Sequence, residues 1–141
     1  MSSVAILMTA VFAQVALTFI VLIKVGTSRV AALKAGEVAV SDVALSSDAW
    51  SNNIKKISNN FNNQLQLPVL LYAAVGFFIV LDKVDFQAIV LAWAFVISRY
   101  VHSFIHIRSN RVGRRFKTYA TGVVILLTLW VWLALRLYLT G

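Results

Sequence analysis

SRYVHSFIHIRSNRVGRRFKTY, at residues 98–119, is the stretch around which this chain is organised. It contains six of the 13 arginines and lysines and both histidines, yet it joins two strongly apolar segments. A short basic segment in that position is typical of a loop between two membrane-spanning helices.

The polar residues of this stretch are spaced so that they share helix faces. Arg99, His102 and His106 are three and then four residues apart, which places them within a roughly 60° arc of one helix. Arg115 and Tyr119 are four residues apart and share a face of the next helix. An arginine and two histidines that face one way from a membrane helix need a polar partner, so this stretch is a candidate ligand site.

Composition assigns the chain to the integral membrane proteins. Its 141 residues are 60% hydrophobic, whereas soluble domains are about 45–50% apolar, and the apolar residues come in long blocks. The chain has no cysteine, which excludes a disulfide framework, a thiolate nucleophile and a zinc–thiolate site. We attribute the net charge of +8 to cytoplasmic loops rather than to nucleic-acid binding, because the basic residues lie beside hydrophobic segments.

The apolar blocks predict an all-α fold, a bundle of four transmembrane helices that forms one domain over residues 1–141. The spans are expected at about 4–25, 67–81, 86–107 and 119–139, with a cytoplasmic loop at about 26–66. The second block is short, so its helix must extend into the polar residues before it. Pro68 would then lie inside that helix or in its first turn.

The distribution of charge predicts the topology. The connections after the first and third spans contain most of the basic residues: Arg29, Lys34, Lys55, Lys56, Arg108, Arg111, Arg114, Arg115 and Lys117. The turn at residues 82–85 has one lysine and two aspartates. By the positive-inside rule the basic connections are cytoplasmic, and both termini lie on the other side of the membrane.

Arg99 is expected within the cytoplasmic half of the hydrocarbon core, roughly 20 Å along its helix from Phe86. An arginine there that faced lipid would cost about 2.5–3.5 kcal/mol or more, so it should face other helices. None of the five acidic residues is expected within the core. This suggests that a bound ligand supplies the negative charge that pairs with Arg99. The alternatives are main-chain carbonyls, an amide such as Gln66, or a lipid phosphate.

The other candidate site residues also have simpler interpretations that involve no ligand. His102 and His106 have a spacing that can chelate a metal, but no third ligand lies near them in sequence, so we predict no metal site. Asn63 and Gln66 either belong to a solvated linker or point inward at the membrane surface. Arg115 with Tyr119 suits an anion or a thiol, although such pairs also anchor helices.

The complete polar set resembles the MAPEG family, the membrane-associated proteins of eicosanoid and glutathione metabolism. RYVHSFIH followed by RRFKTY is similar to the members like microsomal prostaglandin E synthase. In these members an arginine, a histidine, an aromatic hydroxyl, an arginine and a tyrosine recur at the positions of Arg99, His102, His106, Arg115 and Tyr119. They also have an asparagine, an acid three residues later and then a proline. Here that pattern reads Asn63, Gln66 and Pro68, and NNQLQLPVLLY resembles bacterial members in particular.

The resemblance implies a homotrimer in a bacterial inner membrane, with glutathione between neighbouring subunits near the cytoplasmic face. A lipophilic electrophile would enter from the bilayer. Arg115 and Tyr119 would serve the glutathione sulfur, and Arg99 with His102 would hold a carboxylate. Asn63 would bond the peptide backbone. The remaining expected contacts with glutathione come from Gln66, His106 and Arg29.

Three departures from the family pattern leave a second function open. Gln66 replaces an acid, His106 replaces a tyrosine, and asparagines at 59, 60 and 62 lie where an arginine is usual. The first interpretation is a membrane glutathione transferase or peroxidase that acts on lipophilic electrophiles. The alternative is a non-catalytic protein that binds membrane lipid or another anion on the same scaffold. A small transporter subunit has little support, because no acid lies within a span and no internal repeat is present.

Overall fold

The computed structural model describes residues 1–109 and 111–139, which contain helices and no strand. The helices are α1 Ser3–Lys34, α2 Val40–Val43, α3 Asn52–Gln64, α4 Leu67–Val80, α5 Phe86–Arg108 and α6 Val112–Tyr138. Four stretches are long and apolar enough to cross a membrane: α1, α3 with α4, α5, and α6. The predicted all-helical fold with four membrane-spanning helices is therefore confirmed.

The helices extend beyond the expected spans at the basic end of the bundle, where the connections rich in lysine and arginine lie. α1 continues without a break to Lys34, so the predicted loop at 26–66 contains the last turns of α1, all of α2 and all of α3. Polar residues do not end a helix by themselves. α1 ends where Gly36 adopts a φ of +69°, a conformation that glycine reaches at no steric cost.

The second span is a helix pair with a short break. α3 ends at Gln64, α4 begins at Leu67, and Pro68 lies in the first turn of α4, one of the two positions expected for it. Proline is tolerated there because its missing N–H would have no helical partner anyway. α3 packs against α1, where its Ile54 lies in an apolar cluster with Ala32 of α1, and Ile57 on the same helix is also buried. The polar segment before the second apolar block is therefore largely a packed helix rather than a solvated linker.

The interior changes from apolar to polar along the bundle. An apolar core occupies the half that contains the 82–85 turn: Leu7, Ala10, Leu71, Ala74, Val75, Phe78, Ala88, Ala92, Phe95, Val96, Leu126, Leu129 and Leu133. The buried polar residues of the described chain occupy the basic half: Gln14, Asn60, Gln64, Arg99, His102, Ser103 and His106. Polar groups inside a membrane bundle are costly unless they bond to one another or to a ligand, so this half is the place to look for function.

α5 and α6 approach closely at the boundary between the two halves. A Cβ atom on Gly122 would lie 3.2 Å from Ser98 Oγ and 3.9 Å from Arg99 Cδ. The absence of a side chain at Gly122 therefore lets α6 lie beside the start of the polar set on α5. Small residues are used in this way at helix contacts in membranes.

Asp85 ties the other end of these two helices together. Its side chain caps α5 by accepting a hydrogen bond from the Ala88 N–H at 2.9 Å. It also forms an ion pair with Arg136 of α6 at 3.0 Å and accepts a hydrogen bond from Trp132 Nε1 at 3.1 Å. The long helices are thus held in register with each other far from the candidate site.

Candidate functional site

The inward face of α5 carries the core of the candidate site. Arg99, His102 and His106 are 0%, 2% and 0% exposed, so all three lie on the buried face, as their spacing predicts. Arg99 is the largest of the fully buried side chains.

Arg99 is buried without a carboxylate partner among the described residues. Its Nη2 donates a hydrogen bond to the main-chain oxygen of Asn63 at 3.3 Å, and its guanidinium lies 5.8 Å from the centre of the Tyr119 ring. Its Nε and Nη1 atoms are buried and have no hydrogen-bond partner in the described part of the chain. A main-chain carbonyl thus supplies one contact, which was among the alternatives considered from sequence, but two directions of the guanidinium remain unused.

His102 is held by a residue that sequence analysis did not single out. Its Nδ1 lies 3.0 Å from Thr118 Oγ1 on α6. The Thr118 hydroxyl also lies 3.1 Å from the main-chain oxygens of Arg114 and Arg115, which can accept its single proton. When Thr118 donates to the main chain, Nδ1 of His102 carries a proton and donates to Thr118, so this contact helps to set the tautomer. The position of Thr118 one residue before Tyr119 is the only signal that could have identified it.

His106 lies beside His102, with ring centres 5.7 Å apart in an edge-to-face arrangement. Both of its ring nitrogens are buried without a hydrogen-bond partner among residues 1–109 and 111–139, and so is Nε2 of His102. The described residues include no group of three histidines, cysteines or carboxylates that could hold a metal ion. The unpaired nitrogens are free to bond to polar groups of a ligand.

A cavity of about 240 Å³ between α3, α5 and α6 brings together residues far apart in sequence. We call it the Arg115 cavity. It is lined by Asn63, His102, Val112, Arg115, Phe116 and Tyr119. Four of the predicted site residues thus meet there, and Arg99 borders it through its contacts with Asn63 and Tyr119. The volume is slightly below the range of about 300–1,000 Å³ that is typical of ligand sites.

Besides Arg99, three predicted site residues do not line this cavity within one subunit: His106, which lies beside His102, and Gln66 and Arg29, which lie further away. Gln66 is exposed in the break between α3 and α4 and is not part of the lining. Arg29 lies in a separate cavity of about 470 Å³ on the α1 side of α3. There it donates to Ser58 Oγ at 3.1 Å, and its guanidinium lies 5.4 Å from the Trp50 ring centre. Gln66 follows the end of α3 and is exposed, whereas Asn63, within α3, is half-buried in the cavity lining.

A buried chain of amide side chains also lies outside the sequence-based set. Gln14 Nε2 donates to Gln64 Oε1 at 3.0 Å, and Gln64 Nε2 donates to Asn60 Oδ1 at 3.3 Å. Asn60 Nδ2 then donates to Ser103 Oγ at 2.7 Å. These bonds connect α1, α3 and α5 and hold α3 where the Asn63 carbonyl meets Arg99. The apolar spacing of Ile54 and Ile57 identifies the buried face of α3 and could have pointed to Asn60 and Gln64.

The sequence pattern of the MAPEG family matches residues 7–135, from the first span into the last. The chain belongs to the MAPEG family. Together with the four apolar helices, this membership establishes an integral membrane protein. MAPEG members generally use glutathione, which makes this cavity the place to test for it. Comparisons with curated proteins and with solved structures give no match.

Proposed function

We propose that this MAPEG protein is a membrane glutathione transferase or peroxidase that acts on lipophilic electrophiles. One observation carries the proposal. A fully buried arginine without a carboxylate partner in the described chain borders a cavity that contains a second arginine and a tyrosine. Buried charges are normally paired, and here the missing counter-charge fits an anionic ligand.

The residues present fit glutathione. Glutathione brings two carboxylates, amide groups and a thiol that becomes nucleophilic when it ionises. The buried donors of Arg99, at Nε and Nη1, suit a carboxylate. The Asn63 side chain lines the Arg115 cavity and can pair with a peptide group.

Arg115 and Tyr119 would serve the sulfur. Arg115 is half-buried in the cavity lining, so its positive charge acts across a partly desolvated space and stabilises a thiolate. Tyr119 lies four residues further along the same helix and can donate a phenolic hydrogen bond to the same atom. The pair thus favours the ionised sulfur in two independent ways.

His102 can act in either of two ways, and Thr118 decides between them. If Nδ1 of His102 donates to Thr118, a neutral ring presents Nε2 as a hydrogen-bond acceptor. If Thr118 donates to Nδ1 instead, Nε2 carries the proton and can bond a carboxylate. Either arrangement gives the buried Nε2 atom a polar partner from the ligand. His106 would extend this polar surface toward the basic end.

The size of the Arg115 cavity supports a site shared between subunits. At about 240 Å³ it is small for a tripeptide, and Gln66 and Arg29 lie outside it. In a homotrimer a neighbouring subunit would enlarge the site and could bring its Arg29 toward it. We place the basic end on the cytoplasmic side of a bacterial inner membrane, in line with the positive-inside rule.

Calorimetry with glutathione on the detergent-solubilised wild type and Arg115→Ala tests the proposal. At low salt we expect millimolar or tighter binding to the wild type and its loss in Arg115→Ala. Arg114→Ala is the matched control. It removes the same charge as Arg115→Ala, but Arg114 is exposed and does not line the cavity. No binding to the wild type, with the oligomer intact, would reject glutathione as the ligand.

The second experiment asks whether the chain is an enzyme. The same preparations are mixed with glutathione and a panel of lipophilic electrophiles, and thiol consumption is measured. Turnover by the wild type and the Arg114→Ala control, but not by Arg115→Ala, would support the transferase or peroxidase assignment. Full turnover by Arg115→Ala, with an unchanged oligomer, would remove the proposed role of that arginine.

A non-catalytic protein that binds lipid or another anion is the second candidate. It is favoured by the exposed Gln66, which stands where the family members that the sequence resembles have an acid, since an amide cannot form an ion pair with the glutathione ammonium. Protein that retains lipid but consumes no thiol with any electrophile would support this candidate.

A further inference from the structure

A groove on the outer face of the bundle, between α1 and α5, lies apart from the Arg115 cavity. Its volume is about 450 Å³, and it is lined by Leu17, Ile20, Val21, Lys24, Tyr100, Ser103, Phe104, Ile107 and Arg108. None of these residues belongs to the proposed glutathione site.

The groove changes from apolar to cationic along its length. Leu17, Ile20 and Phe104 line the part further from the basic end of the bundle, and Lys24 and Arg108 lie at that end. Lys24 is about 10 Å from Leu17 along α1, at 1.5 Å per residue. Among the described residues, no carboxylate contributes to the lining. Both cations are exposed, and the Arg108 guanidinium lies 5.5 Å from the Phe104 ring centre, which keeps it beside the groove.

We propose that this groove binds one anionic phospholipid of the surrounding bilayer. The acyl chain lies along the apolar wall, and the phosphate lies between Lys24 and Arg108. Charge complementarity supports this occupant, because two cations without a carboxylate suit a phosphate and the apolar wall suits a hydrocarbon chain. A lipid of the bilayer meets both requirements at once and is present at every lipid-facing surface.

A second copy of the chain fits the groove less well. Its acidic residues lie in the α1–α3 connection, as Glu37, Asp42 and Asp48, or in the turn at 82–85. No carboxylate therefore lies on an apolar helix face that could enter the groove and also reach the two cations.

The test is a native mass spectrometry titration of the detergent-solubilised full chain. Phosphatidylglycerol is compared with phosphatidylcholine that has the same acyl chains. A surface cation contributes about five-fold to the binding of an anionic lipid, so two should give a preference of about 25-fold. The double variant Lys24→Gln/Arg108→Gln should bind both lipids equally. Lys34→Gln/Arg111→Gln removes the same charge from exposed cations outside the groove and should keep the preference.

Equal binding of the two lipids by the wild type would overturn the proposal. Loss of the preference in the control variant, as complete as in the groove variant, would overturn it as well. A change of oligomer mass in the groove variant would assign the groove to a second copy. Glycerol phosphate, which has the headgroup charge without acyl chains, should not displace the bound lipid. Displacement at equal concentration would reject the part of the proposal that concerns the acyl chain.

Discussion

Arg99 should make the ligand-free protein less stable, which gives a sharp test of whether this side chain is there for a ligand. It is 0% exposed and makes one hydrogen bond, to the main-chain oxygen of Asn63, while Nε and Nη1 have no partner among the described residues. Methionine is an unbranched apolar side chain that can fill much of the same space without carrying a charge. We therefore predict that Arg99→Met is more stable than the wild type in the absence of ligand.

The expected magnitude follows from the contacts. The substitution removes one hydrogen bond from a charged donor, worth about 1.5–3 kcal/mol, and one cation–ring contact, worth about 0.5–2 kcal/mol. The substitution also relieves two costs of the wild type. A cation in the membrane interior costs about 2.5–3.5 kcal/mol, and each of two buried N–H groups without a partner costs about 1–3 kcal/mol. The last two terms overlap, because both describe desolvation of the same guanidinium. We expect a net gain of about 1–3 kcal/mol in the free energy of unfolding.

The assay is reversible unfolding in mixed detergent micelles, without glutathione, followed by the fluorescence of the four tryptophans. Arg136→Met is the control, because Arg136 is paired with Asp85 at 3.0 Å. Its loss should lower the free energy of unfolding by up to about 1 kcal/mol, so the two variants should move in opposite directions. Glutathione should stabilise the wild type but not Arg99→Met.

A fall of about 1 kcal/mol or more in Arg99→Met would refute the reasoning. It would mean that the bond to Asn63 and the contact with Tyr119 satisfy the arginine, which would then be a structural residue. Calorimetric binding of glutathione to Arg99→Met with unchanged affinity would separately remove its role in holding the ligand.

Three further predictions test the surroundings of the site. Gln64→Leu should lower the free energy of unfolding by about 1–2 kcal/mol, because it removes one hydrogen bond between α1 and α3 and one within α3, and leaves the Gln14 amide N–H unpaired. An unchanged value in the same micelle assay would show that the amide chain does not hold α3. Tyr119→Phe should lower the turnover number by about ten-fold or more with little change in glutathione affinity, since one thiolate hydrogen bond is lost. A change confined to affinity would assign Tyr119 to binding instead. Gly122→Leu should weaken both folding and glutathione binding, because a Cβ there already lies 3.2 Å from Ser98 Oγ. Gly122→Ser is the milder control. If Gly122→Leu is as stable as the wild type, α5 and α6 can separate freely.

The sequence was sufficient for the fold class because its signals are local. Long apolar blocks identify spanning helices whatever their neighbours are, since each helix satisfies its own backbone in the membrane. The 3.6-residue period was also sufficient to place Arg99, His102 and His106 on one face, and the cost of a lipid-facing arginine indicates that this face points inward. Both conclusions need only the residues of a single helix.

The helix α3 and the placement of the polar residues in the basic half of the bundle depended on tertiary structure. α3 looked like a polar linker because its propensity is weak, but packing against α1, with Ile54 and Ile57 buried, stabilises it as a helix. The break before Pro68 then separates Asn63 from Gln66, which a continuous helix would have kept on neighbouring faces. No local pattern reports which way a helix turns after a break.

From its sequence alone this protein is a four-span membrane bundle with an inward-facing arginine that lacks an internal carboxylate. Only the tertiary structure decided that Thr118 meets His102, that Asn63 meets Arg99, and that Arg29 lies in a different cavity. The physical reason is the range of the interactions. Hydrophobic periodicity acts between neighbours in the chain, whereas each of these contacts depends on how two helices rotate and shift against each other. Those rotations are set by close packing, as at Gly122, and by side-chain hydrogen bonds between helices.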